Sequence, residues 1–125
     1  MPSTLFVQSN DSQSFDAFSK RIFALLNIEI KETRYSVNYP GGRYVYGEAL
    51  GLEIELSEAD SSGFPDYQFR VDFDPKIDWR TIDRHCLDGL ADIVAKYLAQ
   101  NGMKIARPLQ PGRAGTPSIL YGDGA

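Results

Sequence analysis

Cysteine, histidine and tryptophan each occur once in this chain of 125 residues. Cys86 has no second cysteine to pair with, so no intrachain disulfide can form, and a reducing cytoplasm is the expected setting. Any Ser-His-Asp or Cys-His centre would have to use His85. Cys86 adjoins it, but neighbours on a helix point about 100° apart, so the two cannot easily act together. Long apolar runs are missing too: nothing approaches the roughly 20 residues a helix needs to cross a bilayer. The start, Met1-Pro2-Ser3-Thr4, has neither the basic nor the apolar stretch of a secretory leader. Basic clusters are equally scarce. The 13 Lys and Arg residues are dispersed, with Lys20-Arg21 the only adjacent pair, and 17 acidic residues leave a net charge of −4. A phosphate backbone is therefore a poor partner and no nucleic acid is expected. A basic protein surface suits the charge better, because opposite charge speeds encounter.

Catalytic and cofactor signatures are also lacking. No Gly-x-Ser-x-Gly elbow occurs, and Tyr39-Pro40-Gly41-Gly42-Arg43 has neither the following helix nor the Gly-Lys-Ser/Thr ending of a phosphate loop. Asp72, Asp74, Asp78 and His85 offer metal-ligand chemistry without any calcium or zinc spacing, so they read as structural. The expectation is no catalytic residue, no metal and no cofactor.

What the chain does have is alternation. Leu50, Leu52, Ile54 and Leu56 alternate with Gly51, Glu53 and Glu55, and Tyr67, Phe69, Val71 and Phe73 alternate with Gln68, Arg70 and Asp72. Period two marks strands with one buried and one wet face. The linker between them carries Ser61-Ser62-Gly63 and Pro65, which are turn formers. A symmetric hairpin register pairs Leu52 with Val71 and Ile54 with Phe69, setting Glu53 opposite Arg70 and Glu55 opposite Gln68. Upstream, Ile28 and Ile30 begin a strand that continues through Tyr35, Val37 and Tyr39 after a bulge near Glu32–Thr33. A two-residue turn within Pro40-Gly41-Gly42 then leads into a strand holding Tyr44, Tyr46 and Leu50, bent at Gly47 and Gly51. By parity these tyrosines face the core. Thr4–Gln8 and Met103–Arg107 are further short strands.

Two apolar stripes at helical spacing remain. Phe15, Phe18, Ile22, Leu25 and Leu26 form one, after the helix-starting residues Asn10-Asp11-Ser12. Ile82, Cys86, Leu90, Ile93, Val94, Tyr97 and Leu98 form the other, capped by Asp78 with an Ile77/Ile82 staple and ended by Asn101-Gly102. Cys86 reads as a small core residue and His85 as a surface one. The central hairpin cannot stand alone, because ordering its backbone costs at least as much as its apolar face returns. The fold class is therefore α+β: a two-layer sandwich, an antiparallel meander of three or more strands with two helices on one face, in the order β-α-β-β-β-α-(β). Residues 1–107 make a single domain. Residues 108–125 make a tail in which seven of eighteen residues are Pro or Gly, docked through Ile119-Leu120-Tyr121.

Function is less legible than fold. The leading expectation is a non-enzymatic, cytoplasmic protein-interaction domain, of immunity or inhibitor type by analogy of size and charge. Glu53, Glu55, Asp72 and Asp74 would present its acidic strand face to a basic partner. An alternative is a ligand-binding or enzymatic domain with a cleft near the aromatic hairpin, using Tyr35, Arg43, Tyr46 and His85. A third is a self-associating protein joined through the tail or a sheet edge.

Overall fold

A computed structural model of the chain describes residues 3–9, 14–28, 31–49, 51–59, 66–75, 84–109 and 117–122. The order is β1 (Ser3–Ser9), α1 (Phe15–Leu25), β2 (Lys31–Tyr35), β3 (Arg43–Ala49), β4 (Leu52–Glu58), β5 (Phe69–Pro75), α2 (Arg84–Gln100), β6 (Met103–Pro108) and β7 (Ser118–Tyr121). All strand pairs are antiparallel, in one sheet ordered β2-β3-β4-β5-β1-β6-β7. Both helices lie on one face of that sheet, so the class is the α+β sandwich that the alternation implies. No helix among the described residues is long and apolar enough to cross a membrane.

The core forms where the inward positions of five strands meet the helices. Leu5 and Val7 of β1, Leu52, Ile54 and Leu56 of β4, and Phe69, Val71 and Phe73 of β5 are all buried with Ile105 and the apolar side of α1. Helix α1 begins at Ser14, whose Oγ accepts from the Ala17 N–H at 3.2 Å, rather than at Asn10-Asp11-Ser12, which lie outside the described residues. Phe18 stacks on Phe69 with ring centres 4.1 Å apart, fixing the helix over β5. The Asp78 cap and the Ile77/Ile82 staple also lie outside the described residues.

Four readings of the sequence change. The segment from Tyr44 to Leu56 is a hairpin and not one bent strand, with Ala49 opposite Leu52. Gly51 has φ +75°, a left-handed conformation that glycine adopts at no steric cost and that tight hairpins need. A two-residue connection pairs odd residues of β3 with even residues of β4, so Val45 faces inward and Tyr44 and Tyr46 lie on the opposite face. Second, β2 pairs regularly with β3 from Lys31 to Tyr35 and then leaves the sheet, with no bulge at Glu32–Thr33. Tyr35 and Val37 are 79% and 98% exposed instead of roofing the core, because they lie at and beyond the end of an edge strand. Third, β4 meets β5 four residues away from the symmetric register: Ile54 faces Phe73 and Leu56 faces Val71. An even shift keeps every apolar side chain on its own face, so alternation alone cannot choose between the two registers. Fourth, α2 turns Leu87, Ala91, Ala95 and Leu98 to the sheet and leaves Cys86 exposed. Small alanines let the helix lie close on β1 and β6, whereas Ile93 stays 63% exposed.

The tail closes on its own molecule. Strand β7 pairs with β6, setting Tyr121 opposite Ile105 and Leu120 opposite Ala106. The Tyr121 hydroxyl donates to Asp92 Oδ1 at 2.6 Å, and Arg107 Nε donates to that hydroxyl at 3.0 Å. This ties the last strand to α2.

Candidate functional site on the open sheet face

The face without helices carries the polar half of each alternation. Following the ladders, Glu48 lies opposite Glu53, and Glu53 lies opposite Asp74. Glu55 lies opposite Asp72. The Arg70 and Gln68 expected across from Glu53 and Glu55 are displaced by the four-residue shift, and Arg70 faces Ser57 instead. All four residues of the expected acidic surface therefore share one face, and across the β4–β5 ladder each lies opposite a residue of like charge. Like charges directly opposite each other destabilise a sheet.

Individual groups show how the face tolerates this. Asp72 is only 6% exposed, because β5 is the central strand of the sheet, flanked by β4 and β1. Its Oδ1 accepts from Thr4 Oγ1 at 2.6 Å, and its Oδ2 from Arg70 Nε at 2.9 Å. These two donors satisfy the buried carboxylate. Glu55 Oε2 accepts from the Tyr39 hydroxyl at 2.7 Å. Burial, together with that hydrogen bond, raises the Tyr39 pKa well above the ordinary value. Glu48 accepts from the Tyr46 hydroxyl, whose pKa is pushed up to about 12 by this bond and by desolvation. Asp74 is exposed.

Tyr39 comes from a segment that looked like strand. Pro40 after it favours extended backbone, and Tyr39 adopts φ −111° and ψ 141°. The chain then turns tightly through Pro40–Gly42, with Gly41 at φ +77°. Gly41 lies so close to Glu58 that a Cβ there would sit 1.8 Å from Glu58 Oε2. The Tyr39 hydrogen bond to Glu55 on the open face shows that the loop between β2 and β3 folds down onto that face. Tyr39 stacks on Tyr44 with ring centres 4.3 Å apart. Between this loop and the sheet runs a groove of about 460 Å³, whose lining includes Phe6, Tyr39, Glu55, Glu58, Arg70, Asp72 and Asp74. That volume falls in the range of small-molecule sites, roughly 300–1,000 Å³.

Three of the four acidic residues picked from sequence line the groove, and Glu53 stands beside them on β4. The alternative set does not assemble. Tyr35 and Arg43 are cross-strand partners on the helix-bearing face, Tyr46 is on the open face, and His85 is in α2, with its side chain outside the described residues. Sequence reasoning missed Tyr39, Glu58, Arg70 and Phe6 as site residues. The Tyr-Pro-Gly-Gly run signalled a turn, but nothing local said toward which face the turn would fold. Among the described residues, no group of three or more His, Cys, Asp or Glu side chains is arranged to hold a metal ion. Comparison of the chain with protein-family models, curated proteins and solved structures finds no match.

Proposed function

We propose that the open sheet face is a recognition surface for a basic protein partner, and that the chain acts as a non-enzymatic interaction module in the cytoplasm, of immunity or inhibitor type. The observation that carries this reading is the placement of Glu48, Glu53 and Asp74 in one cross-strand row, with Glu55 and Asp72 in the next. Such rows work against the stability of the sheet, and a cationic partner would relieve the repulsion. An acidic face also steers a basic partner toward itself over about one Debye length, near 10 Å at moderate salt. The single cysteine fits a reducing compartment.

The test is charge reversal at a position that supports no hydrogen bond to the loop. A basic partner captured from native extract should lose at least about tenfold in affinity for the Glu53→Lys variant, by the loss of close charge pairing. Unchanged affinity, or a captured partner whose contact surface is acidic, overturns the reading. The groove favours a second reading, a small cationic ligand. A thermal-shift screen of small amines and guanidines against the wild-type protein distinguishes it, since a stabilising hit is expected only if the groove alone suffices.

A further inference from the structure

The open face holds its own arginines in a repeated arrangement. Arg34 lies 4.0 Å from the centre of the Tyr46 ring and 3.1 Å from Glu32. Arg70 lies 5.7 Å from the centre of the Phe6 ring and 2.9 Å from Asp72. On the other face, Arg43 repeats this with the Phe15 ring at 5.1 Å and Asp16 at 3.0 Å. In each case a guanidinium lies over an aromatic ring while a carboxylate takes its N–H groups. The groove brings together a fourth aromatic ring, that of Tyr39, with the carboxylates of Glu55, Glu58 and Asp74. One face of that ring is stacked on Tyr44, and no arginine of the described residues lies over it in the manner of the other three.

We infer that this groove seats an arginine side chain of the basic partner, with its guanidinium against Tyr39 and its N–H groups directed to Glu55 and Asp74. The inference rests on the acidic-face reading and sharpens it from charge to residue type. A guanidinium is flat, weakly hydrated and forked, so it can stack on the ring and reach a carboxylate at once. A lysine ammonium is a compact charge, strongly hydrated, and gains less from an aromatic wall. The groove's volume of about 460 Å³ suits a side chain, and its loop wall passes close to Glu58 at Gly41.

The experiment uses two blocked peptides of equal length and charge, glycine alternating with arginine in one and with lysine in the other, titrated into the full chain by calorimetry. The wild-type protein should prefer the arginine peptide by about tenfold. Tyr39→Leu should cut that preference to about twofold or less by weakening the arginine peptide far more than the lysine peptide, since it removes the ring and no charge. Asp74→Asn, on the sheet wall and independent of the loop, should weaken the arginine peptide more than the lysine peptide. Glu48→Gln, outside the groove lining, should weaken both equally. Equal binding of the two peptides by the wild-type protein, or a preference that survives both groove variants, overturns the arginine seat while leaving the acidic face standing. Binding of neither peptide overturns both.

Discussion

Replacing Glu53 by lysine should make this protein more stable and a worse binder at once. Glu53 has two cross-strand neighbours on the open face, Glu48 and Asp74, both acidic. A cross-strand charge pair is worth about 0.2–1 kcal/mol in either direction, so reversing one charge swings each pair by about 0.4–2 kcal/mol. Asp74 is exposed and Glu53 half-buried, so solvent screening holds both swings at the low end, and the sum is about 1 kcal/mol. For a chain of this size that corresponds to a rise of roughly 3–5 °C in the unfolding midpoint. The assay is thermal unfolding followed by circular dichroism at low salt and again in molar sodium chloride, where a Debye length of about 3 Å should remove most of the gain. Glu53→Gln should give about half the low-salt effect, by removing both repulsions without creating attractions. A destabilised or unchanged Glu53→Lys variant at low salt would refute the like-charge argument. A gain that persists in high salt would trace it to strand propensity instead. The pairing of higher stability with weaker binding of a basic partner is the signature of a surface kept acidic for recognition.

Other outcomes follow from single groups. Asp72→Ala leaves the buried Thr4 hydroxyl without its acceptor and should lower stability by about 1–3 kcal/mol, seen as a lower urea midpoint at unchanged slope; a loss below a few tenths would show that water replaces the carboxylate. The raised pKa of Tyr46 means that its contribution is whole below its ordinary value of 10.0 and is lost as pH climbs toward about 12. Tyrosinate absorbance should therefore show a phenol that titrates at about 12 and is missing from Tyr46→Phe, and Glu48→Gln should bring it down; a titration unmoved by Glu48→Gln would contradict the Tyr46–Glu48 bond. The Tyr121 hydrogen bond and Lys96 hold Asp92 below its ordinary 3.8, so its contribution is present above that value and is lost as pH falls through the depressed one. Amide exchange should show β7 loosening before β1 on acidification, and loss of protection in β1 first would contradict this anchoring of the tail.

The placement of the acidic site depends on what alternation can and cannot specify. Glu53, Glu55, Asp72 and Asp74 share one face for any even register, and so their clustering was legible from the sequence. Their partners were not, because a slip of four residues leaves every apolar side chain inward and yet exchanges Arg70 and Gln68 for Asp74 and Asp72. The aromatic hairpin failed for a related reason. Gly51 looked like a bend within one strand, but as a turn it reverses the chain, and that reversal carries Tyr44 and Tyr46 to the open face.

Amphipathic periodicity dictated strands with one apolar face and two helices with apolar stripes to cover it, since Leu52, Ile54, Phe69 and Val71 must be hidden from water. Residues distant in sequence decided the rest. Phe18 on Phe69 fixes α1 over β5, β1 inserts between β5 and β6 and buries Thr4 against Asp72, and the Pro40 loop lands on Glu58 to form the groove. These are contacts between surfaces, and their energies depend on shape and charge brought together only after the chain has folded, so no local pattern encodes them.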